Sequence, residues 1–197
     1  MKALLLIDLQ NDFLHPKGAY GRAGQGAAAI SALPARIKPV VDALRAKGGT
    51  LFGGVCINLL RHPAWGRAQE TYGEDPLLTS IIGAAFVHGL QGDHPKYLKL
   101  AACAKHYVVH SGPENDRHHF NAICTQRELY DSYLPAFKKL VVDAKVESVM
   151  GAYNRTNGEA CCASPTLLEQ ILRQEWGFGG PTGNEGYVVS DCWAIID

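Results

Sequence analysis

The sequence predicts an α/β fold of five parallel strands alternating with helices, either a partial (β/α) barrel or an open doubly wound sheet. Three observations carry this. Short aliphatic runs recur between stretches of helical periodicity. The strand–helix alternation continues through the chain, as in parallel sheets covered by helices. Each aliphatic run ends in polar or charged residues, where α/β folds collect their chemistry. The 197 residues are 47% hydrophobic and 19% charged, enough for a core and too apolar for disorder.

The elements follow in order. Residues 3–8 read as the first strand and 12–24 as a glycine-rich loop. Residues 26–47 carry a helical pattern, bent at Pro34 and Pro39 and closed by Gly48-Gly49. The second strand covers 50–60, followed by a polar loop to 75. A helix over 79–90 is closed by Gly92. The third strand spans 100–109, and 110–124 is a loop dense in His, Asp, Asn and Glu. Thr125 caps a helix over 125–143, with Glu128 completing a capping box. The fourth strand covers 146–153. Ser164 and Pro165 open a helix running to 175, and residues 186–190 form the fifth strand. Right-handed crossovers then put Asp8, Arg67, Lys105-His106, Tyr153 and Asp191 on one rim.

Composition removes several function classes. Nineteen basic and 19 acidic residues balance, so the basic excess of a nucleic-acid binder is missing. No apolar run approaches the ~20 residues of a membrane span, and the opening MKALLLIDLQNDF does not read as a secretory signal. The default expectation is a cytoplasmic protein with no membrane partner. The six cysteines contain no CxxC pair, which argues against a zinc ribbon and for buried thiols in a reducing compartment. No GxGxxG or GxxxxGK[ST] pattern is present, and His118-His119 beside Asp116 read as solvated. No cofactor and no metal are expected.

Lys105-His106 and Asp191 directly abut apolar runs, and charges at that depth need partners or a function. For Lys105 and His106 an ion-pair set with Glu70 or Asp75 is the structural alternative; for Asp191 it is a helix cap. The polar residues after the strands suit vicinal hydroxyls, with Trp65 and Trp193 available as apolar faces for a sugar ring.

From about residue 53 to 197, four segments resemble one family: INLLRHPAWGRAQETYGEDPLLTS (57–80), AACAKHYVVHSGPE (101–114), ESVMGAYNRTNGEACCASPTLLEQILRQEWGF (147–178) and GYVVSDCWAI (186–195). They are similar to the N-terminal catalytic barrel of family 3 glycoside hydrolases, the β-glucosidase and β-xylosidase group. The resemblance implies a (β/α)8-derived fold and retaining hydrolysis of β-glucosides or β-xylosides. It implies Asp191 as nucleophile, Arg67, Lys105 and His106 as binders of sugar hydroxyls, and Met150 and Tyr153 as walls of the same subsite.

Residues 1–49 differ in character. They hold 7 basic and 3 acidic residues, against 12 and 16 in residues 50–197. ALLLIDLQNDFL (3–14) resembles the opening strand of isochorismatase-like cysteine hydrolases, the nicotinamidase group, with Asp8 at the triad aspartate. Together the resemblances imply a chimera within a single α/β domain: an isochorismatase-hydrolase-like βα segment (1–49) joined to a family 3-like barrel fragment (50–197). An engineered scaffold without turnover and an amide-hydrolase remnant are the rival readings. The expected partners are a small carbohydrate and, through exposed sheet edges, a second copy of the chain.

Overall fold

The computed structural model describes residues 3–6, 32–46, 50–180 and 186–195. Five parallel strands make the main sheet: β1 (Ala3–Leu6), β2 (Thr50–Cys56), β3 (Ala101–Tyr107), β5 (Ser148–Gly151) and β8 (Tyr187–Ser190). They lie in the order β1-β2-β3-β5-β8, so each strand joins the sheet beside the one before it. A doubly wound sheet reverses direction at a switch point; this one does not. The fold is α/β, and its winding is that of a barrel arc with all carboxyl ends on one rim.

The helices are α1 (Leu33–Ala46), α2 (Pro76–Gln91), α3 (126–143) and α4 (Pro165–Glu175). Helix α2 starts three residues before the predicted position. Asp75 is its N-cap, accepting from the Leu78 N–H at 2.6 Å, with Pro76 at the first helical position. Gly83 lets α2 approach closely: a Cβ there would stand 2.9 Å from Ile57 Cγ2. The Gln91 amide then ties the end of α2 to the chain entering β5, donating to Lys145 O and accepting from Glu147 N.

In α3 the predicted capping box forms between Thr125 and Glu128. Wide π-type turns at Leu129–Tyr133 and Lys139–Asp143 flank Pro135, which has no N–H to give the regular ladder. Ser164 caps α4 through the Leu167 N–H at 2.9 Å, as predicted.

The core between sheet and helices is apolar and continuous. Tyr107 sits at its centre, edge-on to Phe137 and Trp176, its hydroxyl donating to Leu167 O at 3.1 Å. The predicted loop 110–124 contains more order than expected. A 3-10 turn at Glu114–Asp116 precedes β4 (Asn121–Ala122), which joins β6 (Arg155–Thr156) and β7 (Glu159–Ala160) in a small second sheet. Among the described residues no helix is long and apolar enough to cross a membrane. Cys56, Cys103 and Cys161 are buried free thiols, but Cys192 is exposed because it lies in the turn beyond β8, correcting the expectation for it.

Candidate active site

β3 explains how Lys105 and His106 come together. Ala101, Cys103 and Lys105 alternate onto the inner face, where Ala101 and Cys103 pack with Met150 and half-buried Val189. Ala102 and Ala104 face the helices. Strict alternation would send His106 to the helix side. Instead the pairing with β5 shifts register between Lys105 and Tyr107, and His106 is the extra residue of a bulge. Both side chains therefore reach the rim, and both are buried. The peptide bonds Lys105–His106 and Tyr107–Val108 are cis.

Arg67 enters from the loop after β2. Its guanidinium holds Glu70 in a two-pronged pair, Nε to Oε1 at 2.8 Å and Nη2 to Oε2 at 2.7 Å. Lys105 Nζ stands 4.0 Å from the same Glu70 Oε2. Gly54 of β2 makes room for the lysine stem: a Cβ there would lie 3.0 Å from Lys105 Cε. The predicted alternative partner, Asp75, is elsewhere, spent on capping α2.

Asp191 follows β8 directly and is buried. Its Oδ1 accepts from the Cys192 N–H at 2.7 Å. Its Oδ2 lies 3.1 Å from His106 Nε2 and 3.7 Å from Arg67 Nη1, and among the described residues it has no hydrogen-bond partner. Burial raises the Asp191 carboxyl, but the polar surroundings at His106, the Cys192 N–H and Tyr153 outweigh it and hold the group well below the ordinary carboxylate range. Burial pushes His106 well below its usual 6.5, so the imidazole is neutral. Tyr153, half-buried, is raised to about 12 by burial and by the Asp191 charge.

Arg67, Lys105, His106, Met150, Tyr153 and Asp191 thus share one inner rim. Asp8 lies outside the described residues. Trp65 departs from expectation. It is buried edge-on against His110 at 5.8 Å and offers no free face, whereas Trp193 is 73% exposed. Residue-type reasoning passed over Asn58, His110, Arg117 and Asn154. The Arg117 guanidinium lies 5.6 Å over the Tyr153 ring, and the two asparagines each hold a histidine. A buried amide at the end of an aliphatic run was the available signal for Asn58. Among the described residues no group of three or more His, Cys, Asp or Glu is placed to hold a metal ion.

The family described as "Glycosyl hydrolase family 3 N terminal domain" matches residues 55–196. The chain belongs to glycoside hydrolase family 3. It is 55% identical over 143 residues to a xylan 1,4-beta-xylosidase of Xylanibacter ruminicola, a match covering 72% of this chain and 16% of that protein. To a beta-xylosidase/alpha-L-arabinofuranosidase of Medicago sativa it is 48% identical, over 71% of this chain and 18% of the relative. The family 3 chain therefore spans less than a fifth of these relatives' length. Among solved structures, a GH3 exo-beta-xylosidase in complex with a xylobiose aziridine probe matches with a TM-score of 0.69 and 40% identity, over 75% of this chain and 19% of that one. A Thermotoga neapolitana beta-glucosidase in complex with glucose matches at 0.65 and 36%, over 76% and 19%.

Proposed function

We propose that the rim binds the glycone of a β-xyloside or β-glucoside and that Asp191 attacks its anomeric carbon in a retaining hydrolysis. The observation that carries this is the Asp191 carboxylate itself: buried at the rim, with Oδ2 within 3.7 Å of Arg67 and 3.1 Å of His106 yet accepting no hydrogen bond among the described residues. Arg67 and Lys105 hold ring hydroxyls, Met150 and Tyr153 wall the same subsite, and His106, whose ring nitrogens face Asn58 and Arg67, backs the Arg67 guanidinium rather than touching the sugar. The relatives' names, xylosidases first, favour a xylose glycone.

The test uses dinitrophenyl 2-deoxy-2-fluoro-β-xyloside and its glucose counterpart. Such leaving groups need little protonation, so the readout does not depend on general acid help, worth roughly 10²–10⁴-fold. Peptide mapping should find a fluoroglycosyl group on the peptide containing Asp191, absent in Asp191→Asn. No adduct at high reagent concentration would favour a scaffold without turnover.

Two further readings are proposed. Residues 1–49 are a unit of separate origin, joined to a barrel fragment within a single α/β domain; the start of the family match at residue 55 supports this. Amide hydrolysis has no such support, since burial pushes Cys56 and Cys103 up to about 12, the reverse of an activated thiol. The terminal strand β8, with Tyr187 40% exposed, is where a second copy would pair; light scattering across a dilution series tests it.

A further inference from the structure

Asn58 lies two residues beyond β2, and its side chain is spent on the turn after β3. Nδ2 donates to His106 O and to Val108 O, both at 2.8 Å. Oδ1 accepts from the His106 backbone N–H at 2.8 Å and lies 3.1 Å from His106 Nδ1. The carbonyls only accept and the backbone N–H only donates, so the amide has one orientation; flipped, it would set donor against donor and oxygen against oxygen. Oδ1 therefore faces Nδ1. A bare Nδ1 would oppose lone pair to lone pair, so Nδ1 carries the proton. Cys56 Sγ stands 3.9 Å from both atoms, a long contact for a weak S–H donor that Oδ1 can accept alongside the Nδ1–H bond.

A neutral imidazole has one N–H. With it on Nδ1, Nε2 is bare, and Nε2 has two neighbours: Arg67 Nη1 at 2.7 Å and Asp191 Oδ2 at 3.1 Å. It can accept from the guanidinium; it has nothing to give the carboxylate. The unpartnered Oδ2 of Asp191 agrees with this. We propose that Asn58 is a positioning residue that fixes His106 in the Nδ1–H tautomer, so that Nε2 accepts from Arg67 and no proton is donated to the attacking oxygen of Asp191. The carboxylate's charge is then offset by Arg67, while Oδ1 stays on the Cys192 N–H and Oδ2 accepts no proton from His106. In the other tautomer Nε2–H would bond to Oδ2, blunting it, and would oppose the Arg67 donor.

The molecule repeats the device without a carboxylate. Asn154 Nδ2 donates to Val109 O and Arg155 O, and its Oδ1 lies 3.2 Å from His110 Nδ1. His110 Nε2 is buried with no hydrogen-bond partner among the described residues. His106 and His110, with ring centroids 4.7 Å apart, thus form an internal pair. The groups facing His106 are Asp191, Arg67, Lys105, His110 and Cys56.

The consequence for attack rests on the proposed function; the tautomer does not, and the test separates them. Long-range nitrogen–proton correlation spectra of the full, nitrogen-15-labelled chain near neutral pH should show His106 with a protonated Nδ1 and a bare Nε2, and His110 likewise. A protonated Nε2 on His106 overturns the proposal outright, whether or not any variant folds. Asn58→Asp keeps an acceptor opposite Nδ1 but can meet the His106 and Val108 carbonyls only as the protonated acid; where it folds in that form it should keep the Nδ1–H tautomer. Asn58→Leu removes it and should let His106 take the Nε2–H form, while His110 is unchanged. If folded Asn58→Leu keeps the Nδ1–H form, Asn58 is not its cause.

In labelling by the dinitrophenyl reagent, Asp191 Oδ2 bonds to the anomeric carbon while the C–O bond breaks and dinitrophenolate leaves with the electron pair. That maximal rate should fall roughly 10- to 100-fold in Asn58→Leu, the worth of one hydrogen bond to a charged group. Half-saturation should change little, and folded Asn58→Asp should lose less of the rate than Asn58→Leu. An unchanged rate in Asn58→Leu with a switched tautomer overturns the catalytic consequence. A wild-type chain that never labels counts against the proposed function, while the spectra still decide the tautomer.

Discussion

Along β3, the residues that face the helices and those that face inward are equally buried but held by different forces. Ala102, Ala104 and, beyond the bulge, Tyr107 belong to one apolar cluster, and the Tyr107 hydroxyl at its centre is satisfied. The inner residues lead from Ala101 and Cys103 into Lys105, His106, Arg67, Glu70 and Asp191. That side keeps a carboxylate oxygen without a hydrogen bond among the described residues. Burial of apolar area stabilises the outer face, whereas desolvated charges on the inner face return little net stability. A fold spends stability this way where it has chemistry to arrange.

The comparison breaks first on the outer face. Phe137→Ala removes the ring against Tyr107 and should cost about 3–5 kcal/mol in urea unfolding, while labelling of whatever chain remains folded keeps its rate. Equal losses of stability and labelling rate would show that the faces are not independent. Glu70→Gln acts on the inner face. It removes one arm of the Arg67 pair and the charge 4.0 Å from Lys105. Weakening the compensation of two buried cations should cost up to about 3 kcal/mol, and here the labelling rate should fall as well, because Arg67 loses its two-pronged anchor.

Sequence reasoning saw these two faces unequally. Strand–helix alternation and the caps at Thr125 and Ser164 were legible because each has a local signature. The choice between barrel arc and doubly wound sheet was not, since strand order is set by which crossovers pack together. The sheet β4-β6-β7 escaped because two-residue strands have no periodicity. On the inner face, period-two alternation would have parted His106 from Lys105; one extra residue in β3 reunites them, and a bulge leaves no mark in composition. Asp191 stood out because a charge follows Val188-Val189-Ser190 and because GYVVSDCWAI carries the family resemblance, whereas Asn58, a polar residue between Ile57 and Leu59, was passed over.

Acid sharpens the contrast, because titrating groups at the centre of the fold lie on the inner side. Burial, with Asn154 and Asp191 opposing it and Arg67 and Arg117 adding to it, lowers His110 to about 4. An unfolded histidine takes its proton near 6.5, so between about 4 and 6.5 the unfolded chain holds more protons than the folded one. Stability therefore rises with pH across that window and is lost as pH falls through it, by about 3 kcal/mol for His110. His106 acts in the same direction. Asp191, held below its usual range, adds a further loss only in more acid solution. Urea midpoints at about pH 7.5 and about pH 4.5 should differ accordingly, and His110→Gln should flatten the difference. An unaltered slope in that variant would mean His110 is not buried neutral.

The smallest change tests whether the inner face is tuned more finely than it is stabilised. In Gly54→Ala the new Cβ would stand 3.0 Å from Lys105 Cε and 3.1 Å from Cδ. Both are atoms of a flexible stem, so the lysine gives way and the backbone stays. Alanine also restricts the unfolded chain, a gain of about 0.4–1 kcal/mol at a compatible site, which offsets the crowding. Net stability should stay within about 1 kcal/mol of the parent. Lys105 Nζ shifts with its stem, however, since it too would lie within 3.6 Å of the new Cβ. A misplacement of about 1 Å can cost a hundredfold in rate, so a shift of a few tenths should slow fluoroglycoside labelling by about tenfold. A variant that is stable and slow would separate the two faces by one methyl group; one that is unstable and equally fast would show that Lys105 serves the core and not the sugar.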